Sequence, residues 1–586
     1  MQIRGVSMEK PNCSMYDYML EQNKKYMDYT ALTFGNLKIT YEELHQRIDE
    51  YARALYKKGI RKGDLICVSA ANTPETVYIL YALNRIGAII VPLMAMQNEY
   101  KMKQDLELIK PKMIISINDS YRNIRKASRK IQDLDADYLL FSPLESVDNL
   151  PLKALYNLKN MISGNFTLNP SHSLKNVVNR NGNNDEFVEK TFNPNDVSHI
   201  LFTGGSTGVH KGVDLKENGL NSVVYSVSRF SPLNPGEVFM VNIPINIAFG
   251  NISLQTALCN NLEAALTIKG FPKDFVSELK RLQPSAVYCG PIHIKYLNDY
   301  ILSKLNLPIE SGKVDFDSYI KLIKESLDKS SSKEFNFSNL KCFCSGGEKL
   351  YNDTEQVAKT ILEHYGCQYG VWNGLGMTEF WGTVSLKKGK NNTDGTIGNL
   401  IPGLEMRIVD PITFEDVKIG EKGLLLLKGP SMMKGYHNNP KETEEVMCGE
   451  YFNTGDIVVQ NANGELIYVD RLKRQFVCGI DNVYPQEIEN MVGKLPEVEE
   501  IAVTKIKDSD LQFVPKYHIY IKDGVDVNAL ETKIKKLICS SLGESSLARY
   551  YEYHCEPLPR TDNGKLDPKP LQQSDDEKAK RLTLKV

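Results

Sequence analysis

The residue types best suited to chemistry gather in LFTGGSTGVHKGV (residues 201–213), where Thr203, Gly204, Gly205, Ser206, Thr207 and Gly208 precede Lys211 and Gly212. Glycines let a backbone bend until its N–H groups face an anion. The hydroxyls donate to phosphate oxygens, and a lysine adds a compact positive charge. A linear polyphosphate such as ATP fits that description. The spacing argues against a Walker A loop, which needs Gly directly before the lysine and Ser or Thr directly after it, because here His210 precedes Lys211 and Gly212 follows. Taken alone, the same composition also describes a plain turn.

Four further stretches set polar groups among glycines. NGLGMTEFWG (residues 373–382) opens on Asn373 and offers Thr378 and Glu379 side by side, a hydroxyl and a carboxylate suited to Mg²⁺ and phosphate oxygens. YFNTGDIV (residues 451–458) places Asp456 after a Thr-Gly turn, where a carboxylate can accept both hydroxyls of a ribose. VDRLKRQF (residues 469–476) supplies Arg471, and PRTDNGKLD (residues 559–567) presents Lys565 beside an Asn563-Gly564 turn pair. Singly, each also reads as a surface turn or a solvated charge. Their order along the chain carries the argument.

The elements that must position these groups read as alternating helices and strands. Thr40-x-x-Glu43 is a capping-box pattern that starts a helix with Leu44, Ile48, Ala52 and Leu55 on one stripe and Gly59 as a stop. DLICVSA, a helix entered at Thr73-Pro74 and left at Gly87, and AIIVPL then predict a crossover unit in a parallel sheet, with KMIISI as a further buried strand. VSHILF (residues 197–202) predicts the strand that enters the glycine loop. Residues 169–195, rich in Asn, Ser, Gly and charge, read as an exposed linker. Residues 301–339 read as a surface insertion with helical spacing at Tyr319, Ile320, Ile323 and Leu327. NLKCFCSGGEKL (residues 339–350) reads as a strand running into a tight glycine turn, with Cys342 and Cys344 alternating along it. From residue 395 to about 470 the texture becomes short β segments divided by Gly and Pro. Periodicity thus supports the α/β class. The charged end, residues 574–580, reads as solvated and without function.

Composition narrows the partners. At 586 residues the chain exceeds one core, and a net charge of -2, from 71 basic and 73 acidic residues, leaves no footprint for nucleic acid or an anionic membrane. Eleven cysteines without a CxxC pair or nearby histidines in ligand spacing argue against zinc and for a reducing, cytoplasmic setting. No apolar run reaches the ~20 residues that span a bilayer.

Together and in this order, the motifs resemble the adenylate-forming (AMP-binding) superfamily, which includes acyl-CoA synthetases, adenylation domains of nonribosomal peptide synthetases and firefly luciferase. The resemblance covers nearly the whole chain and lies closest to fatty and medium-chain acyl-CoA synthetases. It implies a large N-terminal domain, residues 1–470, of two α/β subdomains plus a small β-barrel-like unit at about residues 395–470, followed by a small mobile α+β domain, residues 471–586. It implies that Thr203, Gly205, Ser206, Thr207, Gly208 and Lys211 hold the ATP phosphates. Gly346, Gly347 and Glu348 then line the adenine and acyl sites, with Asn373 also on the nucleotide. Thr378 and Glu379 fall at the phosphates and Mg²⁺, Asp456 and Arg471 at the ribose, and Lys565 at the reacting carboxylate and phosphate. Lys473 matches the hinge about which the C-terminal domain turns between half-reactions.

The implied reaction has two steps. A carboxylate attacks the α-phosphorus of ATP and pyrophosphate leaves, then a thiol displaces AMP to give a thioester. The matching acyl pocket comprises Ile247, Ala248, Phe249, Gly250, Gly290, Leu375 and Gly376. Amino-acid-activating relatives carry an Asp where this chain has Ala248, and a buried ammonium without a partner is costly, which leaves an apolar acid. Acetyl-CoA synthetases close their pocket with a Trp where Gly376 stands, so a longer or bulkier acid is expected. Three residues depart from the family pattern: His210, Leu375, and Ile480 in place of a glycine beside the pantetheine channel. Ile480 makes an acyl carrier protein the alternative acceptor to CoA.

Overall fold

A computed structural model describes residues 11–583 apart from residues 96, 98, 148–149, 166–169, 184, 205–209, 268–271, 309–314, 331–333, 348–349, 389–392, 394, 479–480, 509–510 and 561–565. The chain divides into two compact units, one of residues 1–301, 324–405 and 428–452, the other of residues 302–323, 406–427 and 453–586.

The first unit is built on two seven-stranded sheets. In one, Val371–Asn373, Cys342–Ser345, Ala286–Cys289, Val238–Val241, Glu263–Leu266 and Thr30–Phe34 run parallel in that order, and Leu37–Thr40 closes the edge antiparallel. In the other, Ile89–Met94, Leu65–Ala70, Met113–Ile117 and Asp137–Phe141 are parallel neighbours, while His210–Lys216 turns back antiparallel on Val197–Gly204. The parallel strands are nearly continuous apolar runs because helices cover them. Cys67, Val91, Leu106, Ile114, Ile124 and Ile200 are completely buried in one such layer.

Local signals decide the helix boundaries. Thr40 accepts from the Glu43 backbone and Glu43 returns a bond to the Thr40 backbone, so helix Tyr41–Lys57 starts where the capping box predicts. Helix Pro74–Ile86 has Thr73 as its N-cap and ends at Gly87, whose φ of 84° is the left-handed conformation glycine adopts without strain.

Two expectations need correction. Within the stretch read as a linker, Leu174–Asn181 is a helix with Leu174, Val177 and Val178 buried, because those three apolar residues fall on one face. The charged tail read as solvated lies in helix Lys569–Thr583, and Asp575 there is buried against His518, Lys516 and Thr504.

In the second unit, Val498–Asp508 and Gln512–Ile521 form a long antiparallel hairpin, with Tyr550–His554 parallel to the latter. Val503, Val514, Tyr517, Ile519, Ile534 and Ile538 fill its core. Strands Tyr451–Gln460 and Leu466–Arg471 pair antiparallel and bring residue 456 opposite 471.

Candidate active site

Gly290, Gly346 and Asn373 sit at the carboxyl ends of three adjacent parallel strands, aligned by the register Cys289↔Ser345↔Asn373. In open α/β sheets that edge is where ligands bind. Gly346 lies against Phe249: a Cβ added to it would stand 3.1 Å from the Phe249 ring. Phe249 in turn stacks on Tyr288 at 5.5 Å between centroids. Burial pushes the Tyr288 phenol well above its usual range, with Cys342 and Cys344 adding to the effect, so this wall stays neutral. Burial likewise pushes the Cys344 thiol up to about 12 and Cys289 well above its ordinary value, which removes both as nucleophiles near neutral pH.

The acyl residues named from sequence separate here. Phe249, Gly290 and Gly346 come together, and Leu375 is half-buried. Ile247 caps helix Ala248–Cys259 and is exposed, and Ala248 is buried. Gly250 and Gly376 each lie close against backbone. A Cβ on Gly250 would stand 1.9 Å from the Pro244 carbonyl oxygen, and one on Gly376 would stand 2.9 Å from that of Gly382. At Gly290 the nearest neighbour is His293 Nδ1 at 3.6 Å, an ordinary contact. Gly347, with φ of 85°, makes the turn after its strand.

The glycine-rich loop joins two antiparallel strands, which place Thr203 directly across from Lys211. Gly205, Ser206, Thr207 and Gly208 lie outside the described residues, as do Glu348, Ile480 and Lys565. Lys211 projects toward residues that sequence reading missed. Its ammonium is 2.9 Å from Glu442 Oε1 and 4.9 Å from the centre of the Tyr436 ring. The Tyr436 hydroxyl donates to Glu379 Oε1 at 3.0 Å, and the Met433 N–H donates to the Glu379 carbonyl at 2.7 Å. Thr378 and Glu379 occupy one 3-10 turn, ended by Trp381 at φ 57°. Tyr436 reaches the array because Gly435–Tyr436 pairs with Asp214 and Val213 on the strand that carries Lys211. The one sequence signal was Asn439-Pro440, a helix-start pair that brings Glu442 into the first turn.

Asn373 is held by two backbone bonds with Lys387, whose buried ammonium pairs with Glu355 at 2.8 Å. In the second unit, Asp456 is completely buried and Arg471 Nε lies 2.8 Å from its Oδ1. The Arg471 Nη1 also donates to the Thr454 carbonyl, and Thr454 Oγ1 accepts from the Asp456 N–H. Lys473 is exposed on the turn just after.

An open α/β sheet with a glycine-rich segment, a Thr-Glu turn and a lysine paired with a carboxylate suits an enzyme that handles phosphate groups. Comparison makes the class specific: the family model described as AMP-binding enzyme matches residues 19–437, and the chain belongs to that family. Among curated relatives, a luciferin 4-monooxygenase of Photuris pensylvanica is 24% identical over 93% of this chain and 91% of its own. A long-chain-fatty-acid–CoA ligase of Bacillus subtilis is 23% identical over 95% and 93%. Among solved structures, ATP-bound MatB from Rhodopseudomonas palustris superposes with a TM-score of 0.76 at 20% identity, covering 96% of this chain and 99% of that one, which establishes the shared fold. Among the described residues, no helix is long and apolar enough to cross a membrane.

Proposed function

We propose that this enzyme activates an apolar carboxylic acid of medium or long chain, or comparable bulk, with ATP, and then transfers the acyl group to the thiol of CoA. The observation that carries the reading is the array of Lys211, Tyr436 and Glu379 within the AMP-binding fold. In the first step an acid oxygen bonds to the α-phosphorus of ATP and pyrophosphate leaves. In the second, the thiolate bonds to the acyl carbon and AMP leaves. Both first-step reactants are anions, so positioning and charge neutralisation dominate.

In this reading the hydroxyls of Thr203, Ser206 and Thr207 and the ammonium of Lys211 bind the phosphates. Thr378 and Glu379, a hydroxyl and a half-buried carboxylate, are hard oxygen donors that suit Mg²⁺, which when bound neutralises phosphate charge. Asp456 takes the ribose hydroxyls while Arg471 holds its carboxylate in place. Lys565 meets the reacting carboxylate, and Lys473 is the pivot of residues 471–586. The Phe249 and Tyr288 rings beside Gly346 supply an apolar wall for the acid. The names of the relatives, one a long-chain-fatty-acid ligase and one a luciferin monooxygenase, support adenylation of organic acids of some bulk. Eleven free cysteines accord with a cytoplasmic setting.

The test is pyrophosphate release from ATP and Mg²⁺ across acids graded from acetate to long-chain fatty acids, with aromatic and amino acids included, each with and without CoA. Release that peaks with an apolar acid and turns over only with CoA supports the reading. A single stoichiometric burst unaffected by CoA instead favours a carrier-protein thiol as acceptor, with Ile480 as the residue responsible.

A further inference from the structure

The C-terminal sheet carries a second group of chemistry-bearing side chains with no part in that reaction. Strand Tyr550–His554 runs parallel to Gln512–Ile521 and pairs Glu552 with His518 and His554 with Tyr520. Side chains alternate between sheet faces with a period of two, so Glu552 and His554 share a face with each other and with His518. One ligand atom from each of the three lies within 4.8 Å of the others. His518 Nδ1 is 3.3 Å from His554 Nε2 and 3.9 Å from Glu552 Oε2. Two imidazole nitrogens bound tetrahedrally at ~2.0–2.1 Å from one zinc ion would lie ~3.3–3.4 Å apart.

The surroundings orient the first histidine. His518 Nε2 lies 2.9 Å from Asp575 Oδ2 and 3.1 Å from Thr504 Oγ1, and the Thr504 hydroxyl itself lies 2.8 Å from the same Asp575 oxygen. A carboxylate only accepts, and Thr504 has committed its proton to it, so Nε2 is the protonated nitrogen. His518 therefore turns the Nδ1 lone pair toward His554 and Glu552, the carboxylate–histidine arrangement that supports metal ligands. Lys516 bonds Asp575 Oδ1 at 2.6 Å and also reaches Glu552. Glu552 and Asp575 set two carboxylates beside the imidazoles, with the Lys516 ammonium shared between them.

We propose that His518, His554 and Glu552 form a binding site for a divalent transition-metal ion, with Zn²⁺ the best match to two imidazoles and one carboxylate. Glu552 exchanges Lys516 for the ion, and Lys516 keeps Asp575. The ion ties the edge strand Tyr550–His554 to its neighbour and, through Asp575, ties helix Lys569–Thr583 to the sheet.

The test uses the full-length chain, stripped with a chelator and titrated with Zn²⁺ against a chromophoric competitor, with Co²⁺ absorption as a second readout. The expected result is one tightly held ion per chain with a tetrahedral Co²⁺ spectrum and a rise in melting temperature. His554→Ala should abolish all three, and Asp575→Asn should weaken binding by about 10–100-fold. Exposed Cys555, the next residue, is the competing ligand, and Cys555→Ser should leave binding unchanged. Glu552→Gln, on the half-exposed strand, repeats the loss should His554→Ala lower the metal-free melting temperature. Zn²⁺ affinity that is the same in wild type and His554→Ala, binding lost in Cys555→Ser, or no stoichiometric binding by wild type would each overturn the proposal.

Discussion

Lys211 Nζ lies 2.9 Å from Glu442 Oε1, so the lysine at the end of the glycine hairpin is already engaged by a carboxylate. In the proposed reaction a phosphate competes with that carboxylate for the same charge. The two side chains retain 20% and 30% of their exposure, and such pairs are worth about 0.2–1 kcal/mol. Glu442→Gln should therefore lower KM for ATP by up to about fivefold and reduce its sensitivity to salt, with kcat little changed. Steady-state kinetics at two ionic strengths decide the point, and a raised KM would mean that Glu442 positions Lys211 instead of restraining it.

Lys565→Ala should abolish adenylation while sparing thioester formation from preformed acyl-AMP. The two half-reactions are measured separately, by pyrophosphate release and by acyl-CoA appearance. Equal loss of both would remove Lys565 from its proposed role.

Asp456→Asn keeps the size of a completely buried side chain while removing the charge that faces Arg471. KM for ATP should rise about tenfold, roughly the ~1.4 kcal/mol expected for one charge-assisted hydrogen bond. The acid's KM should not move, and a change confined to the acid would contradict the ribose assignment.

Lys387 and Glu355 form an ion pair with 0% and 2% exposure, behind the strand end that carries Asn373. Lys387→Met alone should destabilise the fold by about 3–5 kcal/mol, because it strands a buried carboxylate. Lys387→Met with Glu355→Leu should recover most of the loss. Urea unfolding of the three proteins measures it, and a double variant no better than the single one would count against this account.

Burial, and secondly Lys190, push the His199 imidazole down to about 3, and burial with Arg85 pushes His45 down to about 4. Unfolded, each titrates near ~6.5. Between those values the unfolded chain binds protons that the folded chain refuses, so stability is lost as pH falls below about 6.5, each histidine adding up to ~1.4 kcal/mol per pH unit. The contribution is fully present above that pH. His199→Gln should flatten the slope of unfolding free energy between pH 6.5 and 4, and an unchanged slope would mean that water reaches the ring.

What the sequence disclosed was local. Thr40 with Glu43, and Gly87 with its positive φ, act through bonds within a few residues, and both mark helix ends where expected. The strand before the glycine hairpin and the turn after Cys342–Ser345 were legible for the same reason. Tyr436 and Glu442 were not, because their place beside Lys211 depends on Gly435–Tyr436 pairing with a strand more than 200 residues earlier. Asp575 was misread as solvated because nothing near it in sequence reveals Lys516 and His518. The meeting of His518 with His554 was illegible for the same reason, because the two lie on different strands and are 36 residues apart.

Gly250 and Gly290 look alike in a sequence, yet one has the Pro244 carbonyl 1.9 Å from where a side chain would begin and the other has its nearest atom at 3.6 Å. Mutational drift is therefore closed at the first position and open at the second. Alanine at Gly290 is accommodated beside Gly346, whereas alanine at Gly250 breaks the bend that starts the helix.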